Sequence, residues 1–392
     1  MNNYISLEEA LGIVQDQVVK PKTEKIKTEK SLGRVLAQKI ISPFDMPAFN
    51  KATMDGFAYS SLSGQKSYRI VGESKAGGIK ENNFDKKDCI RIMTGAFVPK
   101  PFDKVIRVEF TKQKGEFVSF IKDEPTDNIS KKCSYSKKGE TLLYPPLKIS
   151  PQIIGQICGL GYSNISVFKK PKVGILTLGD ELLHHSQKMK NGKIFDSNLP
   201  MLTAQSTNIG AKSQNYPIMK DNRLEIEQSL KLALKQNDIV VFSGGSSMGK
   251  YDFIPEVLEK NGAKFLFEKV KLKPGKPTFF SQLDGKYIFS LPGNPVSSFL
   301  TFLLFVTPLI KKYLGQKHFF KLKKFELGQN FFRIDKERKE FIPSKIVENK
   351  IFPKIFKNSG HLSAICDVDG FLVVEVGLKK LKKGTVQQFF VL

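Results

Sequence analysis

Residues 240–297 carry three loops whose residue types suit the binding of anions. The first reads Ser243-Gly244-Gly245-Ser246-Ser247-Met248-Gly249-Lys250-Tyr251-Asp252, the second Lys273-Pro274-Gly275-Lys276-Pro277, and the third Leu291-Pro292-Gly293-Asn294-Pro295-Val296-Ser297. Paired glycines let backbone N–H groups approach a phosphate or oxyanion closely, and serine hydroxyls add donors. Asp252 is an acid able to hold a cation that bridges to such an anion. Pro292 and Pro295 fix φ around Gly293 and Asn294, which shapes that loop before any ligand arrives. Ser297 then stands at the start of a buried apolar helix over 296–310, where exposed N–H groups favour an anion. One Gly-Gly or Pro-Gly pair marks only a turn. Three such loops in succession, with lysines and an acid, mark a site.

The elements that must position these loops follow from the pattern around them. Ile239-Val240-Val241-Phe242 is a short β-branched run that delivers the first loop to the carboxyl end of a buried strand, where open α/β sheets bind ligands. From Lys172 onward strand and helix alternate. Val173-Gly174-Ile175-Leu176-Thr177 reads as a strand, a helix begins near Ser197 or Asn198, and residues 223–235 place Ile226, Leu230, Ala233 and Leu234 on one helical face. That alternation predicts a doubly wound, mostly parallel sheet. Asp180 and Glu181 fall at the end of its first strand, and Asp221 follows a later one.

Elsewhere, residues 7–19 form an amphipathic helix that Ser6 and Glu9 close with a capping box. Residues 68–110 mix β-type runs with glycine turns, as in a small β-rich domain. Beyond Tyr313, lysines alternate with phenylalanines, as in Phe319-Phe320-Lys321-Leu322-Lys323-Lys324-Phe325 and Phe331-Phe332-Arg333. Strands with exposed lysine and buried phenylalanine explain that pattern better than a single-strand-binding surface, and predict a β-barrel-like end. Adjacent His184 and His185 read as an exposed loop, since neighbours project to different sides and no third ligand has useful spacing.

The composition excludes several classes. The 392 residues are 40% hydrophobic and 26% charged, an ordinary balance for a soluble chain of several domains. The net charge of +25 comes from 56 lysines against 7 arginines, spread along the chain. Base readout favours arginine, so this lysine field suits small anionic ligands and no specific nucleic acid. Cys89, Cys133, Cys158 and Cys366 are scattered, as for reduced thiols in a cytoplasmic protein. No secretory leader is expected from residues 1–10, and no membrane span from residues 296–310.

The three loops, in this order, resemble the molybdopterin-binding domain of the molybdopterin molybdenumtransferase family, which includes MoeA and the E domain of gephyrin. Further motifs are similar to that family's: Met54-Asp55-Gly56-Phe57-Ala58, Arg91-Ile92-Met93-Thr94-Gly95-Ala96, Leu178-Gly179-Asp180-Glu181-Leu182 and Ser359-Gly360-His361-Leu362-Ser363. Two places depart from it. Ser130-Lys131-Lys132-Cys133-Ser134-Tyr135 stands where the family has an arginine and a Gly-Glu-Asp turn, with Lys131 and Lys132 as replacements for the charge. Phe341-Ile342-Pro343 stands where the family has Phe-x-Arg, with Lys345 the nearest basic residue.

The resemblance implies an elongated α/β multidomain chain. Its parts are an N-terminal linker and dimerisation domain (1–42 with 140–170), a small β-rich domain (43–139), an α/β molybdopterin-binding domain (171–315) and a C-terminal β-barrel-like domain (316–392). It implies a molybdenum insertase acting on molybdate and adenylated molybdopterin, with Mg2+-dependent hydrolysis and release of AMP. Asp55, Thr94, Lys273 and Lys276 are the implied catalytic residues. Asp55, Glu181, Asp221 and Asp252 are the implied metal ligands. Substrate binding falls to Gly244, Gly245, Ser246, Ser247, Lys269, Pro292, Gly293, Asn294, Pro295 and Ser297. A homodimer with composite sites is implied, as are the molybdopterin adenylyltransferase and molybdoenzyme chaperones as partners. The departures leave a second reading, a molybdopterin-binding scaffold or an adenylyltransferase-related protein with reduced insertase activity.

Overall fold

Strand and helix do alternate from Lys172, and the product is a six-stranded sheet. Its order is Lys212–Asn215, Lys172–Thr177, Ile239–Ser243, Lys286–Leu291, Phe279–Leu283 and Lys264–Phe267. The first four strands run parallel and the last two join antiparallel. The structure, a computed structural model, describes residues 4–78, 83–245, 253–317 and 320–392. Two compact units make up the chain: Met1–Lys25 with Gly33–Ala37 and Ser166–Leu392, and Ile26–Leu32 with Gln38–Ile165.

In the first unit the central strands bury both faces. Val173, Ile175, Ile239, Val241 and Phe289 join one core with helices Leu7–Asp16, Asn198–Ile209 and the long apolar helix that starts at Pro295. Leu176, Val240, Phe242 and Ile288 join the other, against helices Arg223–Gln236 and Ile254–Lys260. Side chains alternate across a strand, so each β-branched run feeds two layers. The Ser6 and Glu9 capping box is present on Leu7–Asp16, which stops three residues short of the expected end at Val19.

The apolar helix runs from Pro295 to Tyr313, longer than expected from the sequence and long enough to cross a membrane, but 72% of it is buried in this core. It opens into a π turn over Phe302–Val306, just before Pro308, which has no N–H to continue the ladder.

The C-terminal residues close a five-stranded barrel from Leu322–Leu327, Lys339–Val347, Lys350–Pro353, Gly370–Val374 and Val386–Val391. Leu327, Ile342, Ile351, Leu372 and Phe389 fill it. Phe325 packs on Phe389 as the lysine and phenylalanine alternation predicts, whereas Phe332 is 62% exposed beneath the Lys380 ammonium. The short strand Leu272–Lys273, from the α/β portion, pairs with the barrel strand and sets Lys273 opposite Glu340.

The second unit holds a six-stranded sheet in the order Thr111–Lys114, Phe117–Phe120, Ser67–Ser74, Asp88–Ile92, Gly56–Tyr59, Lys104–Arg107. Phe57, Tyr59, Tyr68 and Ile106 pack on one face, Ala58, Ile90, Ile92 and Val105 on the other. Arg107 donates to the buried Glu124 through Nε at 3.0 Å and Nη2 at 2.9 Å. Burial would raise the Glu124 carboxyl, but the guanidinium and N–H of Arg107 outweigh it and hold it below the ordinary carboxylate range. A carboxyl depressed in the folded state contributes stability that is present above its unfolded value and is lost as pH falls through the folded one. Resistance to urea is therefore expected to decline on acidification into the carboxylate range, and more gently in Glu124→Gln. Equal declines in the two proteins would show that this pair contributes nothing.

Candidate active site

At the carboxyl ends of the parallel strands a cavity of about 700 Å³ is lined by the glycine loops and by the acids that the sequence pointed to. Gly244 and Gly245, Pro292 to Pro295, Glu181 and Asp221 all contribute to its wall. The first loop must start with glycine, because Gly244 has φ +98° and a Cβ there would stand 2.4 Å from the Leu178 carbonyl oxygen. Asn198 clamps two loops together: its amide donates to Ser243 Oγ at 2.9 Å and to the Gly293 carbonyl at 2.7 Å.

Asn198 is placed in turn by the buried Asp196. One Asp196 oxygen accepts from Thr177 Oγ1 at 2.6 Å, while the other accepts from the N–H groups of Asn198 and Leu199 at the helix start. The helix begins at Asn198 with Ser197 as its N-cap, as expected, but the side chain that caps its N–H groups is that of Asp196, which ties it to the end of the first strand.

The acids of this cavity crowd one another. Burial, and then the charges of Asp180 and Glu181, push the Asp221 carboxyl above its ordinary value, against an opposing hydrogen bond from the Asp180 N–H. Among the described residues no group of three His, Cys, Asp or Glu is placed to hold a metal ion. Magnesium asks for less, since it keeps several waters and takes one or two carboxylates beside phosphate oxygens. Glu181 and Asp221 fit that sparse donor set, and a divalent cation would relieve the repulsion that raises Asp221.

A second cavity, also about 700 Å³, adjoins the first and shares Pro277, Pro292 and Asn294 with it. Its lining is basic: Lys273, Lys276, Arg333, Arg338, Lys354 and Lys357, with Ser297 at the start of the long helix. Glu340, only 3% exposed, accepts from Lys273 Nζ at 2.9 Å and faces Arg333 Nη1 at 3.5 Å. Arg333 spends its remaining donors on the carbonyls of Leu378, Arg338 and Glu375, so it builds the wall and presents little to a ligand. Asn294 donates to Ser359 Oγ at 2.8 Å, and the Ser359 carbonyl accepts from Val296 N–H at 3.0 Å. These bonds fasten the Ser359-Gly360 loop to the start of the helix.

In the second unit Asp55 accepts from Thr94 N–H at 2.6 Å and Thr94 Oγ1 at 2.7 Å. Both bonds hold the Asp55 carboxyl below the ordinary range, so it stays ionised and aimed.

Residues 5–161 match the MoeA N-terminal region (domain I and II), and residues 174–312 match a probable molybdopterin binding domain. A molybdopterin molybdenumtransferase of Staphylococcus epidermidis is 30% identical, across 97% of this chain and 94% of its own length. One from Staphylococcus aureus (strain COL) is 31% identical, with the same coverage. The chain belongs to the molybdopterin molybdenumtransferase family. Membership makes it a transferase of molybdenum cofactor biosynthesis. Two solved structures of a molybdopterin biosynthesis MoeA protein from Pyrococcus horikoshii agree, with TM-scores of 0.86 and 0.84 at 28% and 26% identity. They cover 99% of this chain and 99% and 100% of their own.

The family motifs distribute themselves as follows. Glu181, Asp221, Gly244, Gly245, Gly293 and Pro295 line the first cavity, Lys273, Lys276 and Ser297 the second, and Pro292 and Asn294 both. Ser246, Ser247 and Asp252 lie outside the described residues. Lys269 lines neither cavity, because its two-residue strand pairs with Tyr4–Ile5. Asp55 and Thr94 belong to the other compact unit. Of the four acids implied as metal ligands, the structure therefore brings together Glu181 and Asp221.

At both departures from the family pattern the nearby lysines are already paired with carboxylates. Lys131 and Lys132 are held by Asp127 and Asp45 at 3.3 and 3.5 Å. Lys345 is paired with Asp367 at 2.7 Å and lines neither cavity, so it does not stand in for the arginine missing at Pro343. The sequence reading missed Arg338, Lys354 and Lys357 in the basic cleft. A lysine-rich tail gives no local signal for which lysines converge.

Proposed function

We propose that this chain inserts molybdenum, supplied as molybdate, into adenylated molybdopterin, with hydrolysis of the phosphoanhydride and release of AMP. The observation that carries this reading is the pair of abutting cavities that share Pro277, Pro292 and Asn294. A transfer between two anions requires them side by side, and one cavity offers backbone donors and acids while the other offers cations. In this reading the glycine loops hold the adenylated pterin, with Gly244 and Gly293 allowing close approach of its phosphates. Lys273 and Lys276 offset the repulsion between the two substrates. Glu181 and Asp221 would hold magnesium, which when bound neutralises and orients the anhydride oxygens.

Asp55 and Thr94 are read as the contribution of a second copy of this chain, which makes the working enzyme a homodimer with two composite sites. The ionised, doubly hydrogen-bonded Asp55 supports a role at charged substrate. A cytoplasmic location, and hand-over contacts with the adenylyltransferase and with molybdoenzyme chaperones, belong to the same reading.

The test is AMP release from adenylated molybdopterin by the purified protein with magnesium, with and without molybdate. Molybdate-dependent release by the wild type, falling by about a hundredfold or more in Asp221→Asn, is the expected result. Tight pterin binding without release in any condition would overturn the insertase and leave the scaffold reading, which the changes at Pro343 and at residues 130–135 motivate.

A further inference from the structure

Which cations of the basic cleft are available to an anion is decided by their partners. Lys273 and Arg333 share the buried Glu340 carboxylate. Arg338 is clamped by Asp335 through its Nε at 2.8 Å, and Lys354 is paired with Asp367 at 3.1 Å. Among the described residues, two cleft cations have no carboxylate partner: Lys276 and Lys357. Lys276 lies with its ammonium 5.6 Å from the centroid of the Tyr4 ring, an interaction that leaves its N–H donors unspent.

These two lysines come from different parts of the chain. Lys276 sits in the loop that follows the strand Leu272–Lys273, and Lys357 in the segment that leaves the barrel strand Lys350–Pro353. Lys357 is not a loose tether. Two residues on, Ser359 is fastened through its Oγ to Asn294 and through its carbonyl to Val296 N–H. On the other side, Lys354 N–H donates to the Pro343 carbonyl at 2.9 Å. The short span between those anchors limits how far the Lys357 backbone can move, and Lys357 lines the cleft from there.

We propose that Lys357 is an oxyanion-binding residue of this site, gripping molybdate together with Lys276 and supplying the positive charge that Pro343 does not. The proposal rests on the insertase reading. A doubly charged tetrahedral oxyanion accepts hydrogen bonds on every face, so two ammonium groups suit it better than one.

The experiment is calorimetric titration of molybdate into the purified full-length protein at moderate salt, with sulfate and phosphate as comparisons. Lys357→Met is expected to weaken molybdate binding by about tenfold or more, as for loss of a charge-assisted hydrogen bond. Lys276→Met should do the same, and Lys357→Arg should restore most of the loss. Lys345→Met removes a nearby charge that Asp367 already offsets and that lies outside the cleft lining, and is expected to change the affinity by less than about threefold. Thermal unfolding of each variant checks that the fold is kept. If Lys276→Met weakens binding and Lys357→Met does not, this inference fails and the cleft reading stands. If neither does, or the wild type shows no saturable binding, the cleft is not the oxyanion site and both fail together.

Discussion

Gly56→Ala is expected to unfold the second compact unit. Gly56 opens the strand Gly56–Tyr59, which is hydrogen-bonded on both sides, to Asp88–Ile92 and to Lys104–Arg107. A Cβ there would stand 1.8 Å from the Ile106 carbonyl oxygen and 2.8 Å from its carbon. Those are backbone atoms inside a sheet, so no side chain can swing away to make room. Overpacking a core with one methyl group costs typically about 1–3 kcal/mol, and a backbone clash of this depth is expected at or above the upper figure. The same change would pull Asp55 off Thr94, since Asp55 immediately precedes this strand while Thr94 follows the end of its neighbour Asp88–Ile92. Gly72→Ala is the control: it lies in the strand Ser67–Ser74 of the same sheet, on the far side of Asp88–Ile92, and its Cβ would meet only Ile90 Cγ2, at an ordinary 3.6 Å. Urea unfolding that found the two substitutions equal in cost would show that the Gly56 strand shifts freely, and the packing argument would be wrong.

Glu340→Ala should be the costliest single change in the basic cleft. Its carboxylate is buried between Lys273 and Arg333, and Arg333 is itself only 9% exposed. Removing one partner of such a network leaves buried charge uncompensated, at a cost of about 3–5 kcal/mol. Arg333 keeps its three carbonyl partners, which places the expected value at the lower end of that range. The loss should also appear in function, because Lys273 would no longer be drawn to the barrel wall. Glu340→Gln retains an acceptor and should cost about half as much. A double variant, Arg333→Met with Glu340→Leu, separates the causes: it should cost less than the sum of the two single changes, since it leaves neither charge stranded. Additive costs would mean that the two residues do not depend on each other.

Much of this could be read from the chain. The loops at Gly244, Lys273 and Pro292 carry their chemistry in local sequence, and local sequence is enough to say that a strand ends, a glycine turns and a proline stiffens. The same holds for Ser6 and Glu9, which cap one helix within four residues. Asp196 was less visible, although it lies beside the expected cap positions. Its importance comes from Thr177, a strand away, which takes its second oxygen. Glu340 could not be found at all from its neighbours: what makes it matter is that the strand Leu272–Lys273 joins the barrel in the register that faces it with Lys273. Lys357 was hidden for a different reason. In a chain with 56 lysines, which ones lack a carboxylate is a property of packing. Lys269 shows the converse, a lysine near the right motif that a two-residue strand ties to the N-terminal segment.

The pairing of Leu272–Lys273 with Lys339–Glu340 also bears on how this chain can be divided. Barrels at chain ends are often treated as separable modules that can be trimmed, swapped or appended. Here the barrel lends an edge to the loop that carries Lys273 and Lys276, supplies the carboxylate that fixes one of them, and fastens the start of the long apolar helix through Ser359. A fragment that ends before the barrel would keep Gly179, Gly244, Gly245 and Gly293 of the first cavity, but would lose Gly360 from it and the wall of the second. Exchanging this barrel for a relative's would therefore be an exchange of half the anion site, and the graft would have to match at the Glu340 register before anything else.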